Sequence, residues 1–186
     1  MSRKNDEVLK IYLDHKVHTE SNTIDLDDAI DDVSVGSVIR SIHHLVHSGA
    51  REVTINISSF GGSVYDGLAL YDYLIDLGQD TVINTVAMGK CMSMAPIIYL
   101  AGTNRYAYRN TTFMFHEISS YVEGQLETLK TEVKEATRLS KLMASILAEH
   151  SNKPARFWSR IKKDKFVTAH GAQQLGVVTH VIGDAE

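Results

Sequence analysis

Two stretches of this chain share one plan: an apolar, strand-like run ends abruptly in small residues, and a helix-like run follows at once. In the first, Glu52-Val53-Thr54-Ile55-Asn56-Ile57 leads into Ser58-Ser59-Phe60-Gly61-Gly62-Ser63-Val64. In the second, an apolar run leads into Met88-Gly89-Lys90-Cys91-Met92-Ser93-Met94-Ala95-Pro96. Strands that alternate with helices through short turns build layered α/β sheets, so the pattern points to that class. Two turns of this kind can also meet at one edge of a sheet.

The full order expected from the sequence is a strand near 8–13, a helix near 34–48, a strand at 52–57 and a helix at 63–77. A strand at 81–87, a helix at 93–101 and paired short strands at 105–108 and 112–116 come next. A long helix near 124–149 follows, then short helices near 154–162 and 169–175 and a closing strand at 177–182. The acids of Asp25-Leu26-Asp27-Asp28-Ala29-Ile30-Asp31-Asp32 read as a solvated loop and helix start. They lack the glycine and the terminal glutamate of a calcium-binding loop. With 186 residues and 44% apolar content, the chain has enough for one sizeable core, and a single domain over 1–186 is expected.

Ser93 is the best-placed candidate nucleophile. A hydroxyl at a helix start lies beside backbone N–H groups that lack internal partners and carry the positive end of the helix dipole, a setting that holds an oxyanion. Acyl-transfer chemistry follows from that placement, although small residues around a serine also mark purely structural turns. The pair Gly61-Gly62 removes side chains where the backbone bends or meets a ligand, so its N–H groups could bind a carbonyl oxygen or an extended peptide. No Lys-Ser or Lys-Thr pair follows Gly62, which argues against a phosphate loop.

A nucleophilic serine needs a base. Of nine histidines, His116 ends the strand-like run Thr112-Phe113-Met114-Phe115. His43, His44 and His47 fall toward the polar side of a helix whose stripe is Val38, Ile39, Ile42, Leu45 and Val46. His43 and His47 have metal-ligand spacing but no evident third ligand, so no metal site is expected. Asp164, among the cations Lys162, Lys163 and Lys165 and just before a Val-Thr-Ala helix start, could orient the imidazole. Its other reading is a surface salt-bridge residue.

The runs Gly61-Gly62-Ser63-Val64, Gly89 to Met94, Phe113-Met114-Phe115-His116, Gly124-Gln125, Asp164-Lys165-Phe166 and Gly171 to Gly176 together resemble the Clp protease proteolytic subunit (ClpP) family, in the family's order. The resemblance covers roughly residues 52–183 and implies the ClpP/crotonase-like spiral of repeated ββα units, with a protruding handle helix over about 120–150. It implies Ser93 as nucleophile, His116 as general base and Asp164 as orienting acid. The N–H groups of Gly62 and Met94 fall at the oxyanion hole, and Gly61, Ser63, Glu117 and Ile118 border the substrate groove. The implied enzyme is a serine endopeptidase acting on peptides or unfolded proteins inside a self-compartmentalised homo-oligomer of heptameric rings, up to a tetradecamer, with no cofactor.

Departures from the family are local. Phe60 replaces a usual proline, and Glu117-Ile118 replaces a usual Gln-Pro pair after the histidine. Residues 1 to about 50 match poorly and contain an insertion relative to the family around Thr19 to Asp28, and Asn56 stands where an aromatic of the pocket for an ATP-driven unfoldase is usual. Other readings of the same residues are a phage capsid-maturation protease of this family, a Ser93–Lys90 dyad of the signal-peptide-peptidase-like type, a Cys91 nucleophile, and a non-catalytic ring subunit or crotonase-type acyl-CoA binder.

The long helix carries an apolar stripe from Leu126 through Leu129, Val133, Ala136, Leu139, Leu142 and Met143 to Ile146 and Leu147, which needs a partner surface. Its length would outreach a domain of this size, so a homo-oligomer is expected. A net charge of −4 and the lack of a basic, aromatic-laced stripe argue against a nucleic-acid partner. One cysteine, no apolar signal core near Met1 and no run long enough to span a bilayer fit a cytoplasmic protein without membrane contact.

Overall fold

The computed structural model describes residues 17–119 and 123–183. The strand expected near 8–13 lies outside them. An eight-stranded sheet organises the chain. Its main path runs β1 (Val17–His18), β2 (Thr23–Leu26), β3 (Glu52–Ser59), β4 (Val82–Met92), β5 (Asn104–Tyr108) and β8 (His180–Ile182), while β6 (Thr112–Phe115) pairs with β4 and with β7 (Lys165–Thr168). Most pairings are parallel; β1–β2 and β6–β7 are antiparallel.

Alternation along β3 shows how the sheet is seated. Val53, Ile55, Ile57 and Ser59 are buried, and the residues between them are not. Ile24 and Leu26 of β2 join that core. Polar side chains link neighbouring strands from β2 to β5: Asn56 donates to Asp25 at 2.8 Å, the buried Asn84 donates to Glu52, and Asn104 donates to Asn84 at 2.9 Å.

The helices α1 (Asp32–His47), α2 (Val64–Leu77), α3 (Ala95–Leu100), α4 (Leu126–Glu149), α5 (Ala155–Trp158) and α6 (Ala169–Gln174) complete the fold. Capping fixes where α1 starts: Asp31 accepts from the Ser34 N–H at 2.8 Å, and Ser34 Oγ accepts from the Asp31 N–H at 3.0 Å. Val35, Val38, Ile42 and Leu45 then fall on one buried face. The α/β class and the handle-like long helix expected from the sequence are both present.

Three expectations need correction. Residues 19–28, read without a strand and as solvated loop from Asp25 on, carry one, because Thr23–Leu26 forms β2 and pairs in parallel with Thr54–Ile57. The short strands β5 and β6 do not pair with each other; each pairs with a different half of β4, Asn84–Ala87 with β5 and Lys90–Met92 with β6. That is possible because β4 continues past residue 87. The register against β3 slips from Ile57↔Ala87 to Ser59↔Cys91, and Gly89 takes a φ of +69° in the bulge. Finally, Asp164 precedes a strand, not a helix, and α6 starts at Ala169 with Thr168 as its cap.

Candidate active site

The two strand-to-helix turns do meet. Gly61 is buried with φ +99°, and a Cβ placed on it would lie 2.6 Å from Ser93 Cβ and 2.9 Å from the Met94 nitrogen. Only glycine lets the first turn press against the Ser93–Met94 peptide this closely. Gly62 is crowded from the other side by the Ile30 backbone, and Ile30 bonds on both sides of it, to the Gly61 carbonyl at 3.0 Å and from the Ser63 N–H at 2.7 Å. Ser63 caps α2 by accepting from the Asp66 N–H at 3.3 Å. Its side chain is thereby tied to the helix start.

Ser93 sits at the end of β4, two residues ahead of α3, with φ +57°. A left-handed backbone is costly for a residue with a side chain and persists only where the surroundings enforce it. Here its N–H donates to the Met114 carbonyl at 2.9 Å, and the next side chain, Met94, is buried against Gly67 of α2, where any Cβ would collide with it. The strained turn aims the hydroxyl outward: Ser93 Oγ lies 2.7 Å from His116 Nε2.

His116 follows the last residue of β6, half-buried, and its other ring nitrogen, Nδ1, is 3.8 Å from Asp164 Oδ1. That is ion-pair range and longer than a hydrogen bond. The β6–β7 register explains the encounter. Phe115 pairs with Lys165, so His116 and Asp164 occupy the next rung. The Asp164 side chain is 60% exposed.

A cavity of about 420 Å³ opens beside Ser93 and His116. Ile97, Phe115, Met143, Leu147, Trp158 and Ile161 give it an apolar lining, and Glu117, Ile118 and Lys162 also border it. The Trp158 ring packs at 5.0 Å on Phe115, and its N–H donates to Ser151 Oγ at 3.1 Å. Sequence reasoning missed this wall. Val133, Ala136, Met143 and Leu147 were legible as part of a stripe on the long helix, but the same stripe serves as core, exposed surface and cavity lining at different heights.

The competing nucleophile and base are placed elsewhere. Cys91 is fully buried, and burial pushes its thiol well up, away from the reactive thiolate. Lys90 holds its ammonium 4.7 Å over the Phe60 ring. His43 and His47 stack on the exposed side of α1, and no group of three metal-ligating side chains occurs among the described residues. No described helix is long and apolar enough to cross a membrane.

Comparison with known proteins agrees with this architecture. The family model for Clp protease matches residues 5–185. The chain is similar to the ATP-dependent Clp protease proteolytic subunit of Carsonella ruddii, 24% identical over 96% of this chain and 91% of the relative. It is also similar to ATP-dependent Clp protease proteolytic subunit 2 of Corynebacterium jeikeium, 34% identical over 87% of this chain and 79% of the relative. The subunit 2 protein of Frankia casuarinae is 32% identical over 82% and 71%, respectively. With a strained serine at 2.7 Å from an imidazole, and a family match over nearly its whole length, this chain belongs to the Clp protease family.

Proposed function

We propose that this peptidase of the Clp family cleaves peptide bonds through Ser93, His116 and Asp164. The observation that carries the reading is the 2.7 Å contact between Ser93 Oγ and His116 Nε2 on a backbone held at positive φ. His116 takes the Ser93 proton as the hydroxyl attacks the carbonyl carbon, and Asp164 stabilises the imidazolium that results. The N–H groups of Gly62 and Met94 receive the oxyanion. His116 then gives its proton to the leaving amine, and water hydrolyses the acyl-enzyme by the same steps in reverse.

Substrate lies along Gly61 and Ser63 and along the backbone of Glu117 and Ile118, whose side chains take no part in holding it, with a substrate side chain entering the apolar cavity. The working form is a homo-oligomer, built as heptameric rings. Support comes from α4, whose first half leaves Leu126 at 66% and Val133 at 65% exposure while Leu139, Ile146 and Leu147 near its other end are buried. The 24 residues of α4 span about 36 Å, and the apolar residues left exposed on its first half suit cover by a neighbouring copy. Asn56, with its amide committed to Asp25, makes the sheet polar where the resemblance places an unfoldase pocket. Short peptides, cleaved without nucleotide, are therefore the substrates to assay first.

The test is a fluorogenic peptide assay with Ser93→Ala beside labelling by a fluorophosphonate. We expect kcat/KM to fall by at least about 10³-fold and the label to map to Ser93. Full activity in Ser93→Ala would overturn the assignment. A folded wild-type protein that neither turns over peptides nor takes the label is a non-catalytic subunit.

A further inference from the structure

The β6–β7 ladder stops at the rung Phe115↔Lys165, immediately before the rung occupied by His116 and Asp164. Beyond that point the two chains part: residues 117–119 leave β6, and residues 159–163 approach β7 without regular structure. Left there, the base and the acid would sit on the frayed end of a two-stranded ribbon. Cross-strand partners at such an end are set by whatever holds the strands together past it. The ladder alone supplies support on one side only.

The other side carries an ion pair. Lys162 Nζ donates to Glu117 Oε1 at 2.7 Å. Glu117 directly follows the base, and Lys162 lies two residues before the acid. The pair therefore joins the strand ends just past the His116–Asp164 rung, which becomes the enclosed step between the ladder and an electrostatic clasp. Both partners are substantially exposed, at 62% for Lys162 and 43% for Glu117, so the pair adds little to global stability. Its effect falls on the separation of His116 Nδ1 and Asp164 Oδ1, which at 3.8 Å stands just outside hydrogen-bonding distance. A small change in that separation decides whether the acid grips the ring.

The geometry points to Glu117 and Lys162 as a positioning pair for the reacting groups, holding Asp164 to His116 by closing the open end of the β6–β7 ribbon. This rests on the reading of Ser93, His116 and Asp164 as those groups. The pair touches neither the serine nor the carbonyl under attack; it acts through the acid. It should therefore show in turnover more than in substrate affinity, and it should depend on opposite charge, not on which strand carries which sign.

The experiment compares the wild type, Glu117→Gln, Lys162→Met, the charge-reversed Glu117→Lys/Lys162→Glu and Ser93→Ala, all full-length. Steady-state kcat and KM are measured on the fluorogenic peptide at low and high NaCl, with particle mass and melting temperature recorded for each protein. We expect each single variant to lose about three- to tenfold in kcat with KM within about twofold, and the reversed pair to return to within about twofold of the wild type. Added salt should lower kcat more in the wild type and the reversed pair than in the single variants, because only the former have the exposed Glu117–Lys162 pair to screen. Unchanged kcat in both single variants overturns the proposal, as does a reversed pair no better than either of them. A change confined to KM overturns it too, by making the pair part of the substrate groove. If Ser93→Ala is inactive while these variants behave as wild type, the positioning role fails alone. If Ser93→Ala is fully active, the catalytic reading fails and takes the positioning role with it.

Discussion

The two walls of the site are made in different ways. On the serine side, backbone and side chains meet inside the core: Gly61 against Ser93, Gly67 against Met94, and Cys91 and Ala95 with no exposed surface. On the acid side, the groups that matter stand partly in water and are joined by polar contacts, as in His116 with Asp164 and Glu117 with Lys162. Close packing has one solution at fixed volume, whereas exposed ion pairs are weak and easily rearranged. The fold thus fixes the Ser93 turn rigidly and leaves the side that carries His116 and Asp164 adjustable. Lesions of the first wall should therefore be severe and structural, and lesions of the second milder and specific to turnover.

The hardest test of that contrast uses two glycines with nearly the same backbone. Gly61 has φ +99° and Gly49 has φ +101°, but a Cβ at Gly61 strikes Ser93 and the Met92 carbonyl, while one at Gly49 finds nothing within 4 Å. Gly49→Ala should cost about 1 kcal/mol, from backbone strain alone, and leave peptidase activity intact. Gly61→Ala adds a clash in the core, so we expect about 2–4 kcal/mol in a urea melt and at least a 100-fold drop in kcat/KM, since Ser93 must move. Equal effects from the two substitutions would mean that the first wall is not sterically set.

On the acid side, Asp164→Asn keeps the shape and removes the charge. Where a triad acid is buried and hydrogen-bonded, its amide variant loses about 10⁴-fold in kcat. Here the carboxylate is 60% exposed and 3.8 Å from the ring, so solvent screens it and the expected loss is about 10²-fold, with the melting temperature unchanged. A loss as deep as that of Ser93→Ala would place Asp164 with the rigid wall instead.

How much of this was readable in advance follows the same division. Ser93, His116 and the glycine pair were legible because each sits where a strand ends, and turns of small residues after apolar runs are local signals. The extension of β4 through Gly89 was not, because a glycine there reads as a stop, and only the partner strands show it to be a bulge. Thr23–Leu26 was hidden by Asp25 and the acids that follow it: Asp25 is tolerated in a strand because its carboxylate faces Asn56 across the sheet. The cavity wall and the Glu117–Lys162 clasp depend on residues far apart in the chain, so no local pattern announces them.

The smallest expected effect lies where the walls are tied together. Tyr65, in the first turn of α2, donates its hydroxyl to Glu135 Oε1 at 2.9 Å, and Arg138 holds the same carboxylate with Nε at 2.8 Å and Nη2 at 2.7 Å. The Arg138 guanidinium, with help from the Tyr65 hydroxyl, pulls the Glu135 carboxyl down to about 2. A carboxylate whose folded pKa is depressed stabilises the fold fully above the unfolded value of about 4.3, and that contribution is lost as pH falls toward the folded one. Tyr65→Phe should therefore lower the melting temperature slightly at neutral pH, and the difference from the wild type should shrink as pH is taken from about 5 to about 2. Because the contact is on the surface, peptidase activity should barely change. A difference that is constant across that pH range would mean that Tyr65 contributes through packing of its ring and not through the carboxylate, and the link between α2 and the exposed half of α4 would then be apolar rather than ionic.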